Sequence, residues 1–128
     1  MRQPIRVLCV DDNADIADVL GRLIRAESDL ELVGLLERAD ELEDTVAKLR
    51  PDVVVLDLGL EGRPALDAMM DLADAAPTCR VLVFSGRDGP QEREQVRQSG
   101  GWGLVPKSAS PDAIVQAIRR VADGETVY

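Results

Sequence analysis

Apolar positions along this chain switch back and forth between two spacings. Residues 5–10, IRVLCV, form a short apolar run that predicts a buried strand. Ile16, Val19, Leu20, Leu23 and Ile24 then recur at the spacing of one helix face. Residues 30–35, LELVGL, predict a second strand in which the apolar pattern is less uniform. Leu42, Val46 and Leu49 mark a helix that ends before Pro51, since proline disfavours the helical conformation of the residue preceding it. Residues 53–56, VVVL, are a third strand, followed by a helix with a stripe of Leu66, Met69, Met70 and Ala73 that stops near Pro77. A fourth strand covers 81–84. Residues 90–99 read as a helix, yet Val96 is its one large apolar residue. Leu104 and Val105 give a short fifth strand. The last helix starts with Ser110 as N-cap, Pro111 at the first helical position and Asp112 in the first turn. Its inner face is Ile114, Ala117, Ile118 and Val121, and Gly124 is placed to end it.

Five strand–helix units without long loops predict an α/β fold, a parallel sheet with helices on both faces. The first, third and fourth strands are the most apolar and belong in the centre. The second alternates, and the fifth carries Pro106, which a sheet tolerates best at an edge. The strand order is then 2-1-3-4-5, the flavodoxin-like doubly wound arrangement, with its switch point between strands 1 and 3. No repeat, linker or low-complexity segment interrupts the pattern, so residues 1–128 read as one domain with no DNA-binding domain in the chain.

Composition narrows the function. At 128 residues and 45% hydrophobic, the chain supports a real core and is not disordered. No apolar run approaches the roughly 20 residues of a membrane span, and no signal peptide is visible. A cytoplasmic protein without membrane contact is the expectation. Cys9 and Cys79 have neither CxxC nor metal spacing and read as reduced core thiols. A net charge of −9 disfavours direct binding to nucleic-acid phosphates. Histidine is absent, which removes His-based triads, His–metal sites and the commonest general base.

What remains is carboxylates, hydroxyls and lysines, and the topology gathers them. Asp57 sits in the otherwise apolar run VVVLDLGL, where an unpartnered charge is costly. Asp11 and Asp12 end strand 1, the neighbour of strand 3 across the switch point; Ser85 ends strand 4 and Lys107 ends strand 5. Ligand sites in such sheets lie at the carboxyl ends of strands. Singly, the two N-terminal aspartates could serve a helix dipole, Asp57 a turn, Ser85 a cap, and Lys107 could be a solvated lysine. Their conjunction on one edge is the stronger observation. Three carboxylates together repel one another, and a divalent cation relieves this; all-oxygen ligation suits Mg²⁺ rather than zinc. Asp57 could then act as a nucleophile that forms an acyl phosphate, with metal, ammonium and hydroxyl neutralising the phosphoryl oxygens.

The segments VLCVDDNADI, VVVLDLGL, VLVFSG and GGWGLVPKS resemble the receiver domain of two-component response regulators over essentially the whole chain. ELVGLLERADEL and AIRRVADGETVY are most similar to regulators of the LuxR/NarL type, which add a helix-turn-helix domain. The resemblance implies that Asp57 accepts phosphate from a sensor histidine kinase. It implies Mg²⁺ ligation directly by Asp12, mainly through water by Asp11, and by the Gly59 carbonyl, with Asp57 completing the site. Ser85 would move toward the phosphoryl group and Lys107 pair with it. A homodimer is a further partner the family allows, and DNA contact would come only through an output domain. The domain would not be an enzyme beyond its own phosphorylation from small donors and its dephosphorylation.

Three departures bear on the output. Glu61 stands where the family usually has proline, Leu104 where it has an aromatic switch residue, and Pro106 precedes Lys107 instead of following it. An atypical receiver used as a phosphorylation-independent interaction module is therefore the alternative, with Leu104 as its best argument. A phosphohydrolase of the haloacid-dehalogenase type needs a second acid at the position of Gly59. A flavodoxin needs a phosphate cradle where this chain has the acidic loop DDNAD.

Overall fold

The structure is a computed structural model that describes residues 3–128. Its elements run β1 (Ile5–Val10), α1 (Ala14–Arg25), β2 (Leu30–Leu36), α2 (Leu42–Leu49), β3 (Val53–Leu56), α3 (Ala65–Ala75), β4 (Arg80–Ser85), α4 (Pro90–Gln98), β5 (Gly103–Pro106) and α5 (Pro111–Ala122). The strands are parallel and ordered β2-β1-β3-β4-β5, so the central and edge assignments read from apolarity hold.

Alternating side chains of the strands feed two cores, because successive residues point to opposite faces of a sheet. Leu8, Val10, Val54, Leu56, Val81, Val83 and Leu104 face α2, α3 and α4. Val7, Cys9, Val53, Val55, Leu82 and Val105 face α1 and α5. Burial on both sides explains why β3 is apolar at every position.

The uneven pattern of β2 has a specific cause. Val7 pairs with Leu32 but Leu8 pairs with Gly34, so Val33 is an extra residue, a bulge. Leu30 and Leu32 pack into the α1/α5 core, whereas Val33 and Leu36 pack into the other. Gly34 fits the approach of α2: a Cβ there would lie 3.1 Å from Leu8 Cδ1 and 3.1 Å from Leu49 Cδ1.

Two helix expectations are corrected. The buried stripe of α3 is Ala65, Ala68, Met69 and Leu72, whereas Met70 and Ala73 are exposed and Leu66 is half-buried. Small alanines let the helix lie close to the sheet, and a count of large side chains misses that face. Val19 of the expected α1 stripe is also exposed. Ser110 occupies the N-cap of α5 as expected, and its side chain makes no cap hydrogen bond. The stop signals are as expected: Arg50, before Pro51, adopts φ 49°, and Gly124 has φ 93° after α5. Both cysteines are buried, and burial drives their thiols up to about 12, aided by the charges of Asp11 at Cys9 and Asp52 at Cys79. They are core residues. Among the described residues, no helix is long and apolar enough to cross a membrane.

Candidate functional site

The last rungs of the sheet fix the backbone of the acidic residues. Asp11 N donates to Leu36 O at 2.9 Å and Asp57 N donates to Val10 O at 3.0 Å. Both carboxylates therefore rise from the switch point between β1 and β3, as the topology demands. Asp11 and Asp57 are buried and Asp12 is exposed. One oxygen from each of the three lies within 4.8 Å of the others.

Lys107 closes the site from the far edge. Its backbone N–H donates to Ser85 O at 2.8 Å, which anchors the end of β5 to the end of β4. Its Nζ lies 3.2 Å from Asp11 Oδ2 and 3.2 Å from Asp57 Oδ1. One ammonium facing three carboxylates leaves two negative charges uncompensated. Asp57 Oδ1 also accepts from Gly59 N at 3.2 Å, and Asp11 Oδ1 accepts from Asn13 N at 2.9 Å. Asp11 Oδ2 is different. Although it lies within ion-pair distance of Lys107, no donor among the described residues is aligned to hydrogen-bond it. A buried anionic oxygen without such a bond is costly. An all-oxygen acidic cluster with one such atom fits a hard divalent cation.

Ser85 is buried and lines one cleft together with Asp57 and Gly59. Its Oγ accepts from Arg87 N at 3.0 Å, so the hydroxyl proton is free to donate elsewhere. All the residues expected at the site thus lie on one edge of the sheet, and Lys107 contacts two of them directly.

Sequence reasoning missed two supports. Asn13, not either aspartate, caps α1, accepting from Asp15 N at 3.0 Å and Ile16 N at 3.2 Å. Its place just before the helix was the available signal. Asp11 and Asp12 are thereby left for other work. Arg63 pins the loop after Asp57, where Glu61 replaces the expected proline. Its backbone N donates to Asp40 Oδ1 at 3.2 Å, its guanidinium donates to Ala39 O at 3.3 Å, and it pairs with Glu43 and Asp71. Gly62 provides the turn with φ 86°, and a Cβ there would collide with the Arg38 guanidinium.

Comparison with known proteins shows the family and the fold. The family model described as "Response regulator receiver domain" matches residues 7–119, and the chain belongs to that family. Among curated relatives, a nitrate/nitrite response regulator protein homolog of Haemophilus influenzae is 25% identical over 99% of this chain and 61% of its own length. The transcriptional regulatory protein DesR of Bacillus subtilis is 27% identical over 97% of this chain and 61% of its own. DegU of Brevibacillus brevis is 28% identical over 94% of this chain and 51% of its own. The chain thus spans only 51–61% of these regulators. A LuxR-family two-component response regulator from Aurantimonas sp. superposes with a TM-score of 0.93 at 27% identity, covering 98% of this chain and 90% of that one. The receiver domain of NarL from Mycobacterium tuberculosis shares the fold, with a TM-score of 0.91 at 23% identity over 97% of this chain and all of that one.

Proposed function

We propose that this chain is the phosphoacceptor domain of a two-component system, with Asp57 as the residue that is phosphorylated. The observation that carries the reading is the joint approach of Lys107 Nζ to Asp57 Oδ1 and Asp11 Oδ2, beside a buried Asp11 oxygen that still lacks a hydrogen bond. In this reading, a carboxylate oxygen of Asp57 attacks the phosphorus of a sensor kinase's phosphohistidine. The P–N bond breaks, and the imidazole leaves with the electron pair and takes up a proton. Lys107 and Ser85 neutralise the phosphoryl oxygens, Lys107 by charge and Ser85 by donating its free hydroxyl proton. Mg²⁺ is the cation the donor set suits, held by Asp11, Asp12, Asp57 and the Gly59 carbonyl, where it would offset the charge that the carboxylates and phosphoryl group concentrate. Signalling, not turnover of an external substrate, is the role; an output on transcription would be exerted by a DNA-binding domain outside these residues, in the cytoplasm. The 128 residues form one receiver domain in this reading, and a second copy is an allowed partner.

A second reading keeps the fold and removes the switch. Leu104 is 2% exposed and packed in the core, with no hydroxyl or ring to rearrange. That favours a phosphorylation-independent interaction module. One experiment separates them. Acetyl phosphate with Mg²⁺ should add one phosphoryl group to the wild type and none to Asp57→Asn, read by intact mass, and should change the oligomeric state or partner affinity. Equal labelling of both proteins rejects Asp57, and labelling without any functional change supports the module.

A further inference from the structure

Residues 126–128 run along the outer edge of β5. Gly103 and Val127 form a parallel bridge. Val127 N donates to Trp102 O at 3.0 Å, and Leu104 N donates to Val127 O at 2.8 Å. These bonds cover groups that an edge strand otherwise leaves unpaired. Gly103 makes room for them, since a Cβ there would stand 2.5 Å from Val127 O.

Tyr128 continues past the bridge to the far end of α4. Its hydroxyl donates to Gly101 O at 2.8 Å, in the turn between α4 and β5. The guanidinium of Arg97, in the last turn of α4, lies 4.2 Å from the ring centroid. The ring is half-buried against the core that contains Val96 and Leu104. One side chain thus holds the end of α4, the turn after it and the edge of β5.

We propose that phosphorylation of Asp57 displaces α4, and that Tyr128 is a positioning residue that tethers α4 to β5 and opposes that displacement. This rests on the phosphoacceptor reading and adds its regulation. The path is short: Ser85 leads through residues 86–89 into Pro90 of α4, and α4 delivers Arg97 to Tyr128. Because coupling is reciprocal, loosening the tether must favour the ligand that requires α4 to move.

The test uses beryllofluoride with Mg²⁺, its binding read by fluorine NMR, and the emission of Trp102, the single tryptophan, as a report on the strap. Tyr128→Phe removes one hydrogen bond and keeps the ring; Arg97→Gln removes the charge over it. Each should bind beryllofluoride about fivefold more tightly, the factor for about 1 kcal/mol, which is the net value of one hydrogen bond and of one exposed cation–π contact. The double variant should gain less than the product of the two. A role confined to stability would leave affinity unchanged or weaken it. Trp102 emission should shift on binding in the wild type and shift less in Tyr128→Phe. Affinities within twofold of wild type in both variants overturn the tether, provided that acetyl phosphate still labels Asp57. If the wild type is neither labelled nor binds beryllofluoride, the phosphoacceptor reading falls and takes the tether with it.

Discussion

Helices α4 and α5 lie on opposite faces of the sheet, and they are held there by different means. Helix α5 buries Ile114, Val115, Ala117, Ile118 and Val121. Helix α4 buries Val96. Their polar contacts differ in the same sense. Arg119 of α5 bonds Asp29 and Glu27, about ninety residues away in sequence, and Arg80 of β4 donates to the Val121 and Ala122 carbonyls at its end. In α4, Arg93 bonds the Asp88 carbonyl, Arg97 pairs with Glu94, and Gln98 donates to Glu94. Such bonds within one segment stabilise a helix as a helix and do nothing to attach it to the sheet. Its polar attachment elsewhere is Arg97 against Tyr128. The lesson is that a helix can be well formed and still be loosely attached, and regions of low attachment are where populations can shift.

The largest test of this contrast is in the cores. Ile118→Ala should cost about 2–5 kcal/mol, since a fully buried side chain is replaced by a cavity. Val96→Ala removes less apolar volume and should cost roughly 1–3 kcal/mol. Urea midpoints at constant m would measure both. Equal losses would mean that α4 is anchored as firmly as α5. The two should differ in kind as well: Ile118→Ala lowers the protection of the whole sheet, and Val96→Ala mainly that of α4.

Much of this contrast was legible beforehand, because it depends on periodicity. The single valine of residues 90–99 and the inner face of α5 can be read directly, as can the strand ends that bring Asp11, Asp57, Ser85 and Lys107 together. What escaped detection leaves no periodic trace. The bulge at Val33 depends on how two strands pair, not on either alone. Half of the buried face of α3 is alanine, Ala65 and Ala68, and apolar size does not identify them. The strap at Val127 is one bridge, too short for any pattern, although the glycines of GGWG were its one sign. Apart from Asp71, Arg63 works through partners twenty or more residues away, which only the fold brings near.

A smaller effect is expected from hydrogen exchange. In the free protein, amides of residues 86–99 should exchange by local opening well before those of 114–121, which open only with the sheet. Beryllofluoride should increase protection in 86–99 and leave 114–121 unchanged. Slow exchange of both helices in the free protein would erase the comparison. Unchanged exchange in 86–99, alongside a preserved phosphate-dependent output, would move the signal to another surface.

The smallest effect concerns the ion pair that ties α5 to the end of β2's approach loop. Arg119 Nε and a second guanidinium nitrogen lie 2.8 and 2.9 Å from the two Asp29 oxygens, a bidentate arrangement. The hydrogen bond from Arg119 holds the Asp29 carboxyl below its ordinary value of 3.8. A carboxylate with a depressed folded-state value binds fewer protons when folded than when unfolded. Its contribution is therefore fully present above the ordinary value and is lost as pH falls through the depressed one. Both groups are accessible to water, so screening keeps the contribution small. Arg119→Gln should lower the urea midpoint slightly at pH 7, and the gap from wild type should narrow as pH falls below the ordinary carboxyl value and close once the folded Asp29 carboxyl is itself protonated. In α4 the matching substitution, Arg93→Gln, should show a smaller closing gap, because its close bond is to the Asp88 carbonyl, which does not titrate, and the Asp88 carboxylate lies 3.6 Å away without a bidentate bond. A pH-dependent gap in Arg93→Gln as large as that in Arg119→Gln would mean that the charges of α4 act on the fold in the same way as those of α5.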